Sequence, residues 1–227
     1  MRRPECPARA TPLAWHCLST VGEDWRRMAD AFASLPRDPY YVEGLRFRTL
    51  NRLSATRTAA DVSIRPEPSR PFLQRPEDNP ELGGLARTYA SAPVVTPGSR
   101  VVREVVAHCI AHITPGREPI TVRFNLHLVR YQPLPERPCH ASPRKLHRDG
   151  NRAIGIYLVA RSNLHGGATR VANERREETH HFVLDRPGEG FVLDDRSAYH
   201  MVETMTAVDP NVPSYRDVLI VDALPGD

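Results

Sequence analysis

Apolar residues recur along this chain with two different periods, and the change of period falls near residue 118. Trp25, Met28, Ala29 and Phe32 share one helical stripe, which predicts a helix over 24–34 ended by Pro36. Val102, Val105, Val106, Cys109, Ile110 and Ile113 keep the same spacing. They predict a second helix, capped by Ser99, stopped by Pro115 and lying along the outside of a sheet. Between the two, residues 40–50 alternate as a strand does, with Leu45 and Phe47 to one side and Arg46 and Arg48 to the other. Beyond 118 the texture becomes short strands between turn residues, at 119–131, 152–160, 167–173, 181–184, 190–194, 197–204 and 216–223. Strands in that number without helices between them predict a jelly roll or barrel. The expected class is α+β: N-terminal helices packed outside a distorted, cupin-like double-stranded β-helix. The expected organisation is a loose arm over 1–20 and a single domain over 21–227, with helices and a proline-rich loop to about 118 and the jelly-roll core from about 119.

Composition narrows this picture little. The 227 residues are 40% hydrophobic, as suits one folded core. Prolines number 22, roughly twice average usage, and they gather in 61–84. A loop that long inside a compact domain is either a lid or disordered. The net charge of +4 raises a nucleic-acid reading. It is set aside because the arginines are interleaved with Asp and Glu and the 7% of aromatics are dispersed, leaving no stacking platform. The four cysteines, Cys6, Cys17, Cys109 and Cys139, form no CxxC pair, which argues for reduced thiols and a cytoplasmic protein. The N-terminus lacks the apolar region of a signal peptide, and no run is long enough for a membrane span. No membrane partner is expected; the oligomeric state is not legible.

The chemistry gathers around KLHRDG at 145–150. On an extended segment His147 and Asp149 point to one face, offering an imidazole and a carboxylate to one metal. His200, on a predicted strand about fifty residues on, completes a set of two histidines and one carboxylate. Such a set leaves ligand positions open and is the signature of mononuclear non-haem iron(II) oxygenases. Arg216 opens the last predicted strand. An arginine buried beside a metal needs an anion, and its planar fork suits the distal carboxylate of a dicarboxylic acid. In TVRFNLHLVRY, Phe124, Leu126 and Leu128 share one face, while Arg123, Asn125, His127 and Tyr131 share the other. A polar face turned into a barrel needs polar partners.

In order along the sequence, DPYYVEGLRFRTLNR, HRDG, RSNLHGGATRV, HFVLDRPGEG, LDDRSAYHMV and RDVLIVD resemble the 2-oxoglutarate/Fe(II) dioxygenase superfamily, and within it the bacterial free amino-acid hydroxylases related to L-isoleucine 4-hydroxylase. The resemblance runs from about residue 38 to the end. It implies Fe(II) held by His147, Asp149 and His200, with O2 and 2-oxoglutarate as co-substrates. Arg216 would pair with the far carboxylate of 2-oxoglutarate, Tyr131 would donate to it, and the turn at Asn163 would line the site. It further implies oxidation of an unactivated C–H bond in the side group of a free L-amino acid or derivative, in bacterial natural-product metabolism, by hydroxylation, desaturation or ring closure. Arg130, Arg46 and Arg48 are candidates for the substrate carboxylate, Asp194 and Asp195 for its ammonium, and His127 for a further contact. Two alternatives stay open at this point: the same chemistry on a peptide or carrier-bound substrate, and a non-catalytic metal-binding jelly roll.

Overall fold

The computed structural model describes residues 13–41, 45–114, 116, 119–141 and 143–226. The first half comprises β1 (Leu13–Cys17), α1 (Glu23–Asp30) continued by a 3-10 turn (Ala31–Ser34), β2 (Leu45–Arg57), β3 (Val62–Pro66) and α2 (Arg100–Ile113). The second half is all strand: β4 (Ile120–Gln132), β5 (Ala153–Ser162), β6 (Leu164–Gly166), β7 (Thr169–Ala172), β8 (Glu178–Phe182), β9 (Glu189–Leu193), β10 (Tyr199–Val202), β11 (Met205–Ala207) and β12 (Tyr215–Ala223). Every ladder between these strands is antiparallel. A seven-stranded sheet runs β1-β9-β5-β12-β4-β2-β3, and two small sheets run β10-β7-β8 and β11-β6.

The large sheet has two different faces because its residues alternate. From β4, Phe124, Leu126 and Leu128 join Leu219, Val221 and Tyr157 in a core that also takes in Val102, Val105, Val106, Cys109 and Ile110 of α2. Each of those α2 side chains is fully buried, and each contributes roughly 1.5–3 kcal/mol of hydrophobic stabilisation. Ser99 caps α2, its hydroxyl accepting from the Val102 N–H at 3.3 Å, as its position before the stripe predicts. The other face carries Val129, Tyr131, Ile154, Ile156, Leu158 and Val218, packed with Val171 and Met205 from the small sheets. Arg46 and Arg48 of β2 lie opposite Tyr131 and Val129 and so share this second face.

Three expectations change. Residues 13–17, expected within a loose arm, form β1, paired along its length with β9, and Leu18 behind it is buried. The order comes from a ready-made edge, not from local propensity; the rest of the expected arm before Leu13 lies outside the described residues. The strand expected at 40–50 starts at Leu45 and runs to Arg57, because it matches the full length of β4; residues 42–44 lie outside the described residues. The proline-rich stretch contains β3, and beyond it an isolated bridge joins Phe72 to Arg87. Its irregular part folds over the second face of the large sheet.

Candidate metal centre

A single backbone bridge brings the centre together. The His147 N–H donates to the His200 carbonyl and the His200 N–H to the His147 carbonyl, both at 3.0 Å. That pairing sets the two imidazoles side by side, with centroids 4.4 Å apart, and Asp149 follows two residues on. Ligand atoms of all three residues lie within 4.8 Å of one another. The Asp149 carboxylate divides itself: Oδ1 is 3.5 Å from His147 Nε2 and Oδ2 is 3.7 Å from His200 Nε2. Donors about 2.0–2.2 Å from one ion stand about 3–3.7 Å apart in open coordination geometries, so the spacing fits a small divalent metal. Gly150 lets the turn form. Its φ is +79°, and a Cβ there would lie 2.5 Å from the Asp78 carboxylate.

The protons are arranged for a metal. His147 Nδ1 lies 2.7 Å from the Lys145 carbonyl. A carbonyl only accepts, so Nδ1 carries a hydrogen, and Nε2 faces Asp149: it donates to the carboxylate while the ring is protonated and offers a metal its lone pair once that proton leaves. Burial alone would lower the His147 pKa, but the hydrogen bond and charge of Asp149 raise it above the ordinary value. His200 goes the other way, down to about 4, through burial and then the neighbouring His147 charge. Burial pushes Asp149 up, yet His147, His200 and a Gln74 hydrogen bond hold it well below the usual carboxylate range. Two imidazoles thus share one ionised carboxylate. The Nδ1 of His200 is buried without a hydrogen-bond partner and lies 4.0 Å from Asp195.

Arg216, on the second face, is 1% exposed. Its Nε and Nη2 have no hydrogen-bond partner, and burial pulls its pKa down to about 10. Its cross-strand neighbours are Tyr131 and Arg161, and Tyr131 is itself buried. A buried guanidinium without a carboxylate among the described residues is an anion site in waiting. Asp149, the two histidines, Arg216 and Tyr131 therefore compose a set that fits both an iron ion and a dicarboxylate co-substrate.

The remaining expected residues scatter. Asp195 is taken up by backbone amides. It accepts from the Asp149 N–H at 3.0 and 3.1 Å and from the Asn151 N–H at 2.8 Å, fixing the turn that carries Asp149. Burial and the Asp149 charge raise its pKa to about 7. Asp194 is half-buried and pairs with Arg196. Arg130 projects on the opposite side of β4 from Tyr131. Both arms of its fork hold Asp217 at 2.7 Å, and it stacks on Tyr215. Asn163 is occupied: its amide donates to Asp209, Val212 and Ser214 and accepts from the Asp209 N–H, tying a turn at positive φ.

Arg46 is buried, paired with Asp38 at 2.8 Å and stacked over Tyr41. Arg48 contacts His127 Nδ1 at 3.1 Å. An arginine only donates, so Nδ1 accepts and Nε2 donates to Asp222 at 3.0 Å. Burial, and then Arg48, keep His127 well below its ordinary pKa and hence neutral. Burial and Asp149 raise Asp222 to about 8.

Two contributors come from the irregular segment, where no periodicity marks them. Gln74 donates to Asp149 Oδ1 at 2.9 Å and accepts from Arg87 Nη2 at 2.7 Å. Asp222 sits among apolar residues in RDVLIVD and was legible only as an odd polar position.

With this geometry in place, comparison with known proteins is decisive. The family described as 2OG-Fe dioxygenase matches residues 29–222. The chain belongs to this family. Family members use Fe(II), 2-oxoglutarate and O2. The protein is 23% identical over 156 residues to the 3(1)-hydroxy-L-isoleucine 4-dioxygenase of Pantoea ananatis (strain AJ13355), covering 66% of its own length and 62% of that relative. It is 34% identical over 99 residues to the L-isoleucine-4-hydroxylase of Bacillus thuringiensis, covering 43% and 40%. The match thus spans less than two thirds of these curated relatives. The crystal structure of a BsmA homologue from Methylobium petroleophilum PM1 shares the fold, with TM-score 0.75, 20% identity, and 89% of this protein and 81% of that one covered. Among the described residues no helix is long and apolar enough to cross a membrane, and Cys17, Cys109 and Cys139 are free thiols.

Proposed function

We propose that this protein is an Fe(II)- and 2-oxoglutarate-dependent oxygenase, built on a distorted jelly roll, that oxidises a C–H bond in the side group of a free L-amino acid. His147, Asp149 and His200 hold the iron, and Arg216 with Tyr131 holds the far carboxylate of 2-oxoglutarate. The observation that carries this reading is the pairing of a converging two-histidine, one-carboxylate cluster with a fully buried, unpartnered Arg216. An inert metal-binding protein has no use for the second feature. When bound, iron and 2-oxoglutarate would supply oxidation of a C–H bond by O2, one oxygen atom going to the substrate and the other to the succinate formed as 2-oxoglutarate loses CO2.

The protein's own residues provide placement and exclusion. The Lys145 carbonyl fixes the His147 tautomer, Asp195 grips the backbone of Asp149, and Gln74 holds Oδ1 of its carboxylate. Val129, Val218, Leu158 and Ile156 line the face beside Arg216 with hydrocarbon. They keep water out of an environment where charge pairing is strong. Supporting partners of metal ligands typically contribute 10–100-fold in affinity. Asp195→Asn is therefore expected to weaken retention of a divalent metal by about that factor, read by competition with a chelator, while the melting curve keeps a single transition.

The free amino acid as substrate is supported by the two named relatives and by the arginine-rich inner face. The test compares turnover of aliphatic L-amino acids with their N-acetylated, amidated forms, following product mass and succinate. The expected outcome is reaction of the free forms only. Equal reaction of the blocked forms moves the assignment to a peptide or carrier-bound substrate.

A further inference from the structure

Three arginines, Arg46, Arg48 and Arg87, converge on the inner face next to the metal centre, and their charges are unevenly matched. Arg46 has the carboxylate of Asp38. Arg48 has only the neutral ring of His127. Arg87, 1% exposed, has the amide oxygen of Gln74 and the Tyr89 side chain, neither of them a carboxylate, and its Nε has no partner. Among the described residues neither Arg48 nor Arg87 meets a carboxylate. Their planes are nevertheless fixed. The Arg48 guanidinium lies 5.2 Å from the Phe72 ring and 4.8 Å from the Tyr89 ring, and that of Arg87 lies 4.6 Å from Phe72. Stacked, preoriented forks with unspent donors are how proteins receive carboxylates.

The surroundings say which carboxylate. A cavity of about 520 Å³ lies between Tyr40 and Tyr41 on one side and Leu82, Pro143 and Lys145 on another. Tyr41 stacks on Arg46, and Tyr40 packs on Tyr89, so these two rings join the cavity to the arginine group. Lys145, on the other wall, is the residue whose carbonyl orients His147. The co-substrate's arginine, Arg216, is elsewhere, on the strand beyond β4 from β2.

We propose that Arg48 and Arg87 form the seat for the substrate's carboxylate and that Gln74 links this seat to Asp149. The inference rests on the oxygenase reading above and deepens it. Filling the seat places one negative charge between two cations and gives Arg87 a charged partner. Because Arg87 and Asp149 share Gln74, substrate and metal centre hold the same amide group from its two ends.

The test is calorimetric binding, under nitrogen, to the intact protein holding Fe(II) and 2-oxoglutarate. The probes are L-isoleucine, L-leucine and L-valine and their carboxamides. Removing one partner of a buried charge pair weakens binding about thirtyfold or more. Arg87→Gln is expected to do this to the best-bound amino acid while leaving the affinity for 2-oxoglutarate unchanged. Arg87→Lys should recover only part, and the carboxamide should bind the native protein as weakly as the acid binds Arg87→Gln. Arg48→Gln carries the same expectation, so it decides the matter if Arg87→Gln does not fold. Unchanged amino-acid affinity in these variants overturns the seat and leaves the oxygenase reading standing. Weakened 2-oxoglutarate binding instead assigns the arginines to the co-substrate and also overturns it. Native protein that binds 2-oxoglutarate but prefers the carboxamides, or binds none of the acids, overturns the seat together with the free amino-acid assignment. Failure to bind 2-oxoglutarate at all sinks the oxygenase reading itself.

Discussion

Alanine at His147, Asp149 or His200 is expected to remove succinate formation from 2-oxoglutarate, to below about one hundredth of the native rate, a loss of roughly 2.7 kcal/mol or more in the barrier. The expectation follows from how little redundancy the cluster has. Each oxygen of Asp149 faces one imidazole nitrogen, and no fourth His, Cys, Asp or Glu completes an alternative group of metal-binding character among the described residues. The three variants should differ in a second measurement. Asp149→Ala removes the only carboxylate between the two rings, so His147 loses the interaction that raises its pKa. Metal content after dialysis should then be low at neutral pH as well as in mildly acidic buffer for this variant, because the anionic donor is gone while proton competition for His147 is weakened, not strengthened. Full turnover in any one variant would remove that residue from the centre.

Arg216→Ala should raise the concentration of 2-oxoglutarate needed for half-maximal turnover more than a hundredfold, while the metal content stays near native. Breaking a buried pair costs about 3–5 kcal/mol. In the free protein this guanidinium already bears the burial cost, with two nitrogens unpartnered. The ligand that meets it therefore recovers a large interaction. Arg216→Lys should restore only part of the affinity, because a point charge does not reproduce the bidentate fork. An unchanged 2-oxoglutarate requirement in Arg216→Ala would transfer the role to another arginine of the inner face.

The metal cluster was legible because its chemistry is local in sequence. HxD fixes two ligands on one face by alternation alone, and a histidine on a later strand completes the set. Both helices were legible for the same reason, since a stripe at 3.6-residue spacing and a serine cap are short-range signals. What the sequence hid was direction beyond the strand. Arg130 and Tyr131 are adjacent, but one turns to Asp217 and the other to Arg216. Asp194 and Asp195 look equivalent in LDDR, yet one pairs with Arg196 and the other grips the Asp149 turn. Asn163 read as a site residue and is a turn lock, since every hydrogen bond its amide makes lies within the 209–214 loop. Gln74 and Arg87 left no trace, because an irregular proline-rich segment carries no period from which to infer where a residue points.

Among the described residues the strand that bears Arg216 is the last of twelve in sequence order, yet it sits in the middle of the large sheet, between β5 and β4. Until it inserts, β4 and β5 each present an open edge, with the inner face of the sheet divided in two. Pairings of this kind join distant parts of the polypeptide, which makes their assembly slow and leaves unpaired edges as sticking points. Placing β12 is what joins the two halves of the large sheet. Arg216 meets Tyr131 only where β12 lies against β4, so a polypeptide without that pairing lacks the proposed seat for the co-substrate. Closing the sheet and completing that proposed seat are one event.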